Sequence, residues 1–285
     1  MMDSVPIPYR VPSEELPSEL PTKDAIESSK EILCEESARK VVSVGSHFVV
    51  KYGLQVDLAE GQSMIFIKNT TTVSVPKVYA LFKDIESSKT YIIMERINGD
   101  RLDFIWTSLD RMQKQAIALQ IRTSFIELRK LRSPDGYCSL DCKPLRDHIF
   151  YTGTPEESLK IEGPFNTEMD LNDALIKKYL SSGYLPIGKA DYYSRAFPSV
   201  LSGHPPTFTH GDLQRKNIIM DTEDGSITII DWEFAGWYPS YWEYARAIFA
   251  CGRFDDDWSE WIDLSLDVYR NEWAWMQMLI LELWS

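Results

Sequence analysis

The sequence contains few cysteines, and none of them has a paired arrangement. Its four cysteines, Cys34, Cys138, Cys142 and Cys251, show no Cys-x-x-Cys spacing. Zinc sites and thiol redox motifs are built on such spacings, so neither is predicted. We therefore expect reduced, structural thiols in a reducing compartment.

Basic charge is also scarce. The chain has 30 Lys and Arg against 43 Asp and Glu, a net charge of −13 and a pI near 4.8. A nucleic-acid-binding surface should be basic, so no nucleic-acid partner is expected. An anionic substrate would need a local positive group or a metal ion, whereas a cationic or neutral substrate suits the acidic surface.

Long apolar runs are missing as well. The run from Trp273 to Trp284 is interrupted by Gln277 and Glu282 and is too short to span a bilayer. The N-terminus has neither the basic nor the apolar part of a secretory signal. The hydrophobic content of 44% is ordinary for a globular protein, so a soluble, cytoplasmic protein without a membrane partner is predicted.

The N-terminal third of the sequence predicts an arm followed by a small sheet. Residues 1–22 carry five prolines and predict a flexible arm. Asp24 to Lys40 has helical composition. Two β-branched runs then flank Gly45-Ser46, which predicts a hairpin with a two-residue type II′ turn and Lys51 at the end of its second strand.

The next segments complete this lobe. Leu58 to Asn69 predicts a helix carrying Glu60, and Val78 to Phe82 and Thr90 to Met94 predict two further strands. A hairpin, a helix and two strands describe an α+β lobe, assigned to residues 23–97.

Residues 98–285 predict a second, mainly helical lobe. Glu95 to Arg101 breaks the strand pattern and predicts a linker, and Ser133 to Asp170 predicts loops. Helical patterns cover Leu102 to Ser108, Arg111 to Leu131 (apolar at Ile117, Leu119, Ile121, Phe125 and Leu128), Leu171 to Leu180, Ala190 to Leu201 and Tyr238 to Trp284.

Two segments of this lobe carry the most distinctive chemistry. The first, Phe208 to Met220, places Asp212 and Asn217 on one loop before an apolar strand. A polar turn containing glycine reverses the chain, and a second apolar strand ends at Asp231. Because a hairpin returns the chain to its starting level, these three oxygen-bearing side chains should meet, as a Mg²⁺ site requires.

These motifs resemble a known family. His210-Gly-Asp-Leu-Gln-Arg-Lys-Asn217 followed by Ile230-Asp-Trp-Glu233 is similar to the aminoglycoside phosphotransferase-like family, which includes choline kinase-like enzymes. The resemblance covers roughly residues 40–285 and implies the bilobal protein-kinase fold. It implies ATP- and Mg²⁺-dependent phosphorylation of a hydroxyl group on a small molecule. Since Trp-Glu follows Asp231 where protein kinases have Phe-Gly, no switching activation segment is expected.

The resemblance also implies roles for individual residues. Asp212 matches the aspartate that orients the attacking hydroxyl, and Asn217 and Asp231 match the metal ligands. Lys51 matches the lysine that contacts the ATP phosphates, and Glu60 matches its glutamate partner.

Other nucleotide contacts follow from the same resemblance. Glu95 to Ile97 would supply backbone groups to adenine. The sequence has no Gly-x-Gly-x-x-Gly stretch, so Gly45 and Ser46 are the candidates for covering the phosphates. His210 is expected to stabilise the catalytic loop, and Glu243 to anchor it.

The acceptor is left open between an aminoglycoside, a choline-like amine, a sugar and a secondary metabolite. The acidic cluster Asp255 to Asp257, with Glu260 and Glu272, either attracts an amine-bearing acceptor or is a solvated face. Trp237 and Tyr238 either line the acceptor pocket or pack in the core. The alternative functions are a catalytically silent protein that only binds a nucleotide or serves as a scaffold, a protein kinase, and another ATP-dependent activation of a small molecule.

Overall fold

A computed structural model of the chain describes residues 4–36, 38–151, 161–181, 183 and 185–283. The start of the predicted arm (residues 1–3), part of the predicted loop segment (152–160) and Trp284 of the last predicted helix lie outside the described residues. Within the described ranges, no helix is both long enough and apolar enough to cross a membrane.

The N-terminal lobe is built on an antiparallel sheet of six strands in the order β1-β5-β6-β4-β3-β2. Its strands are β1 (Tyr9–Arg10), β2 (Ile32–Glu36), β3 (Arg39–Val44), β4 (Phe48–Gly53), β5 (Val78–Lys83) and β6 (Thr90–Glu95). Two helices accompany it, α1 (Lys23–Glu27) and α2 (Leu58–Thr70). Both α2 and the strand pair β5–β6 were predicted from the sequence.

The predicted helix from Asp24 to Lys40 is wrong beyond α1. The chain instead forms β2, which pairs along β3 from Ile32↔Val42 to Glu36↔Arg39. A strand here satisfies the free edge of β3, whereas a helix would leave that edge unpaired. Tertiary pairing therefore outweighs the helical composition of this segment.

The β3–β4 hairpin also differs in detail from the prediction. Val44 pairs with Phe48, which leaves a turn of three residues instead of two. Gly45 begins it at a φ of +65°, a left-handed conformation that favours glycine. Lys51 lies inside β4 and pairs with Val41 and Ile92, so it is not at the strand end.

The described part of the arm packs on the lobe, contrary to the flexible arm expected. Tyr9 and Arg10 pair with Leu81 and Ala80 of β5. Val11 is 5% exposed and belongs to the core of the sheet. The prolines prevent a helix but allow the extended conformation that an edge strand uses.

The C-terminal lobe is mainly helical, as predicted. Its helices are α3 (Leu102–Ile105), α4 (Arg111–Leu128), α5 (Glu168–Ser181), α6 (Ile187–Val200), α7 (Trp242–Phe249), α8 (Trp258–Ser265) and α9 (Arg270–Leu283). Short strands form two small sheets, β7 (Asp100–Arg101) with β9 (Ile218–Met220) and β10 (Ile227–Ile229), and β8 (Pro206–Thr209) with β11 (Gly236–Pro239). The start of the region predicted as helical from Tyr238 is therefore a strand.

The buried face of α4 includes only some of the apolar residues predicted for this helix. Four of those predicted are buried, namely Ile117, Ile121, Phe125 and Leu128. Their spacing follows one stripe of a helix, and Leu119 falls off this stripe and is 47% exposed.

This difference predicts unequal effects of two substitutions on α4. Ile121→Ala should lower the free energy of unfolding by about 3 kcal/mol, because a fully buried side chain leaves a cavity. Leu119→Ala on the same helix should cost less than about 1 kcal/mol. Urea denaturation of both variants measures the difference, and equal losses would contradict the assigned face.

Candidate active site

The catalytic-loop residues lie between β8 and β9, the strands that flank them in sequence. The side-chain nitrogen of Asn217, Nδ2, donates to Asp212 Oδ2 at 2.8 Å and to the Asp212 backbone carbonyl at 2.9 Å. Gln214 Nε2 donates to the other carboxylate oxygen, and Lys216 Nζ lies 3.4 Å from Oδ2. These contacts fix the orientation of the Asp212 carboxylate.

The β9–β10 hairpin brings Asp231 back to this loop, as its sequence predicted. The Ile230 amide donates to the Asn217 carbonyl at 2.9 Å. Asp231 follows directly, with a φ of +66° in the left-handed region. A non-glycine residue in this conformation is uncommon and is held there by its surroundings.

The His210 side chain connects the catalytic loop with the residue before Asp231. Its Nδ1 accepts from the Asp212 amide at 3.1 Å, and its Nε2 donates to the Ile230 carbonyl at 2.9 Å. The ring is fully buried and packs edge-on against Trp232 at 4.5 Å between centroids. Both nitrogens are engaged in backbone contacts, which is the loop-stabilising role expected of this histidine.

The N-terminal lobe contributes a buried lysine. Lys51 is 5% exposed, and its Nζ lies 2.7 Å from Glu60 Oε2 and 2.7 Å from Asp231 Oδ1. Glu60 comes from α2 of the same lobe, and Asp231 comes from the opposite lobe. The structure thus brings the predicted phosphate lysine, its glutamate partner and a predicted metal ligand together.

Burial and charge compete in this cluster. Burial acts to lower the pKa of Lys51, but Glu60, Asp231 and Glu233 together raise it above its ordinary value. Burial acts to raise the pKa of Asp231, and the Lys51 ammonium outweighs it and holds that pKa below the ordinary value. Burial raises the pKa of Glu60 against the attraction of Lys51. Lys51 therefore stays protonated and Asp231 stays ionised at neutral pH.

Two charged residues of the site were missed from the sequence. Glu233 Oε2 lies 3.5 Å from Lys51 Nζ, and Arg39 Nη1 donates to both Glu233 oxygens at 3.0 and 3.1 Å. Arg39 also holds Glu36 of its own lobe. The signal for Glu233 was its place two residues after Asp231, where protein kinases have glycine.

Gly45 and Ser46 were predicted to cover the phosphates, but the structure does not place them beside Arg39 and Glu233, the residues that surround Lys51. β3 runs from Arg39, which contacts Glu233, to Val44, so the turn at Gly45 lies at the far end of the strand. There the Arg96 guanidinium donates to the Gly45 carbonyl at 3.1 Å.

Instead, the turn at Ala38, just before β3, lies at the end of the strand where Arg39 contacts Glu233. A side chain at Gly53 would place its Cβ 2.2 Å from the Ala38 carbonyl oxygen, so only glycine lets this turn approach β4 so closely.

The predicted hinge, Glu95 to Ile97, is partly used by the sheet. The Glu95 amide donates to the Lys77 carbonyl at 2.8 Å, and the Arg96 amide donates to the His47 carbonyl at 2.9 Å. The Glu95 carboxylate accepts from the Lys77 amide at 3.0 Å. A purine could therefore receive a backbone hydrogen bond from this segment only through the Ile97 amide.

The comparisons with known proteins agree with this arrangement. The family model of the phosphotransferase enzyme family APH matches residues 153–279, which include the catalytic loop and the β9–β10 hairpin. Over this part of its sequence, the chain is similar to that family. None of the curated protein sequences matches it.

Solved structures show the same fold over nearly the whole chain. The GDP complex of aminoglycoside 2'-phosphotransferase-IIIa is 15% identical with a TM-score of 0.58, covering 88% of this chain and 83% of that one. Aminoglycoside phosphotransferase APH(4)-Ia is 15% identical with a TM-score of 0.54, covering 91% and 95%. At this identity the likeness establishes the kinase-like fold that the sequence predicted.

A cleft of about 340 Å³ opens beside the catalytic loop. It is lined by Asp103, Gln214, Arg215, Lys216, Ala250, Cys251, Asp255, Asp256 and Trp258. Two members of the predicted acidic cluster thus face this cleft.

The other members of the acidic cluster have different surroundings. Asp257 accepts from the indole nitrogens of Trp106 and Trp261 at 2.8 and 2.9 Å, and Glu272 lies 3.4 Å from His204 Nε2. Glu260 is exposed outside the cleft lining. Trp237 and Tyr238 are fully buried, so the core-packing alternative holds for both.

Glu243 of α7 anchors the catalytic loop from beneath, as expected. Its Oε2 accepts from the His210 amide at 2.6 Å and the Gly211 amide at 3.3 Å. Only 2% of the residue is exposed, and this burial raises the pKa of the carboxyl above its ordinary value of 4.5.

This burial predicts a pH-dependent difference between wild type and Glu243→Gln. Because the folded pKa is raised, the carboxyl contributes stability at acid pH and loses it as pH rises above 4.5 through the folded value. The free energy of unfolding of wild type relative to Glu243→Gln should therefore fall with rising pH, as measured by denaturation at several pH values.

Glu243→Ala serves as the comparison, since it leaves both amides without an acceptor. It should cost about 1–3 kcal/mol for each buried amide at every pH. A wild-type advantage over Glu243→Gln that grows with pH would contradict the assignment.

Proposed function

We propose that this protein is an ATP- and Mg²⁺-dependent phosphotransferase that phosphorylates a hydroxyl group of a small molecule. The family match and the kinase-like fold support a phosphotransferase. The observation that carries the proposal is the position of Lys51, whose ammonium bridges Glu60 and Asp231 across the lobes at 2.7 Å each. A protonated, oriented cation beside a metal-binding carboxylate is what phosphate binding requires.

Asp212 would act on the acceptor. Its carboxylate is held by Asn217 and Gln214 at the edge of the cleft that Gln214 also lines. An acceptor hydroxyl in this cleft could donate to Asp212, which would orient it and receive its proton as the bond to phosphorus forms. Lys216, 3.4 Å from Asp212, would place a positive charge near the transferred group.

The charge of the site favours a divalent cation. Around Lys51 and Arg39 lie four carboxylates, Glu36, Glu60, Asp231 and Glu233, and even when Glu60 is protonated the other three outnumber the two cations. This excess would repel a triphosphate unless a cation neutralised it.

Asp231 and Asn217 would hold the Mg²⁺, and their oxygens are the hard donors that it prefers. Glu60, Asp231 and Glu233 also have oxygens within 4.8 Å of one another, but Lys51 already occupies the centre of that group. When bound, the ion would neutralise charge on the phosphates.

The nucleotide would lie between the β2–β3 turn and the hinge. Arg39 and Lys51 supply the positive charge on the N-lobe side, and the Ile97 amide is the backbone donor for adenine. Two of the similar structures carry GDP and AMP-PNP, and both are aminoglycoside phosphotransferase structures.

The acceptor would be amine-bearing. Asp103, Asp255 and Asp256 line the cleft, while the basic Arg215 is paired with Asp256 at 2.6 Å. Asp255 therefore remains as a carboxylate facing the cleft, and an acceptor ammonium group could pair with it. The similar structures include complexes with gentamicin and with hygromycin B.

The proposal predicts that Asp212→Asn lowers kcat by about 100- to 10,000-fold, because the acceptor loses its base. Asp231→Asn should abolish turnover and also remove the dependence of nucleotide binding on Mg²⁺. A coupled assay of ADP release across hydroxyl-bearing amines, sugars and aminoglycosides measures both. The exposed Asp173 provides the matched control, since Asp173→Asn should leave kcat unchanged.

Unchanged ADP release by Asp212→Asn with the true acceptor would contradict the proposal. Wild-type protein that binds no MgATP by calorimetry would favour the silent scaffold instead. Phosphorus NMR of the product distinguishes a phosphate ester from any other activated product.

A second prediction concerns the acceptor alone. Asp255→Asn should raise the KM of a cationic acceptor about fivefold, since one charge contact is worth about 1 kcal/mol. The KM for ATP should not change, and added salt should reduce the effect. Asp191→Asn on the exposed face of α6 is the matched control, and an equal KM in both variants would exclude a role for Asp255.

A further inference from the structure

A glutamine of α2 joins this helix to the N-terminal segment, residues 4–11, which we term the strap. The Val5 amide donates to Gln62 Oε1 at 2.8 Å, and Gln62 Nε2 donates to the Val5 carbonyl at 2.8 Å. Gln62 is 9% exposed, so this two-pronged contact is shielded from water. Such a contact fixes both the distance and the orientation of the two backbones.

Gln62 lies on the side of α2 that faces away from Lys51. Glu60 precedes it by two positions, and two residues correspond to a rotation of roughly 200° around a helix. Glu60 contacts Lys51 at 2.7 Å, while Gln62 contacts the strap. The helix is therefore held from one side by the site and from the other by the strap.

The strap also reaches the opposite lobe. The Ser4 amide donates to Asp141 Oδ1 at 3.0 Å, and Asp141 pairs with Lys143 at 3.3 Å. Further along, Tyr9 and Arg10 extend the sheet beside β5, and Val11 is buried. One short segment thus contacts the C-terminal lobe, α2 and the sheet.

The remaining contacts of α2 restrict how it can move. Gly61 packs against Leu81, where a Cβ would lie 2.7 Å from a leucine methyl. Asp57 caps the helix at the Ala59 amide, 2.8 Å away, and pairs with Arg146 of the other lobe. The strap adds a further contact at Gln62, two residues from Glu60.

From these contacts we infer that Gln62 is a positioning residue and that the strap, through Gln62, holds Glu60 against Lys51. This inference rests on the proposed function, because it assigns the strap a part in nucleotide binding. If the strap is released, α2 can move away from β4, and Lys51 is then less well oriented toward the phosphates. The effect should appear in nucleotide affinity before it appears in the fold.

Gln62→Met tests the inference, since methionine keeps the length and helix propensity but forms neither hydrogen bond. The Kd for MgATP should rise about five- to tenfold, as expected for the loss of one or two hydrogen bonds. Amide hydrogen exchange along α2 should accelerate by a similar factor, while exchange in α4 should not change.

Gln113→Met is the matched control. Gln113 also bonds a backbone amide, that of Asp110 in the capping box of α4, away from the site. It should lower the melting temperature without altering the Kd for MgATP. An equal rise in Kd for both variants would show that Gln62 acts only through overall stability and would overturn the inference.

Deletion of residues 1–5 provides a second variant that keeps β1 and Val11. It should reproduce the Kd and exchange changes of Gln62→Met, and the two changes combined should have no further effect. In a Glu60→Gln background, Gln62→Met should no longer change the Kd, because the carboxylate through which Gln62 orients Lys51 has been removed. Additive effects in either cycle would overturn the inference.

The two proposals fail in different ways. If the proposed function is wrong, wild-type protein releases no ADP with any hydroxyl-bearing small molecule, but the exchange of α2 amides still reports on the strap. If the strap has no positioning role, wild-type binding remains and Gln62→Met leaves both the Kd and the exchange within twofold of wild type.

Discussion

The ammonium of Lys51 is the charge around which the two lobes meet. It lies almost without exposure between Glu60 of α2 and Asp231 of the opposite lobe, each at 2.7 Å. A buried cation without these partners would cost several kcal/mol, so the lobes and α2 must stay close enough to supply them. Lys51 therefore joins the two lobes at the centre of the candidate site.

The neighbouring charges extend the same constraint. Arg39 on β3 contacts Glu233, two residues beyond Asp231, and so joins the lobes a second time. The cluster nevertheless carries more negative than positive groups. The chain has a net charge of −13, which disfavours binding of an anionic nucleotide. Lys51 and Arg39 supply positive charge in the site, and under the proposed function a metal ion bound with the nucleotide would supply more.

The catalytic loop itself is held in place by buried hydrogen bonds. His210 and Glu243 hold the catalytic loop through backbone amides and carbonyls, and both are shielded from water. Because hydrogen bonds in such surroundings are costly to break, Asp212 and Asn217 are presented on a rigid support. The cleft that we propose for the acceptor, lined by several charged side chains, lies beside this loop.

Some of these features could be read from local sequence. Asp212, Asn217 and Asp231 lie on one loop and one hairpin, so spacing alone predicted that they would meet. The strand pair β5–β6 and helix α2 carry their own periodicity and were predicted for the same reason. Lys51 and Glu60 were assigned through the family resemblance, and the structure places them in contact.

Other features were decided only when the chain folded. β2 is a strand because β3 offers it a free edge, and the described part of the arm packs on the lobe because β5 and Gln62 bind it. Leu119 faces outward because the stripe of α4 is narrower than its apolar content. The pairing of Arg39 with Glu233 joins residues 194 positions apart.

The sequence by itself therefore determined that Asp212, Asn217 and Asp231 would meet, because they lie in short segments whose geometry is local, whereas Lys51 and Glu60 were assigned through the family resemblance. The tertiary structure alone decided which charges surround them and what holds α2 in place. Those contacts depend on the relative position of distant segments, which is set by burial and strand pairing across the whole molecule.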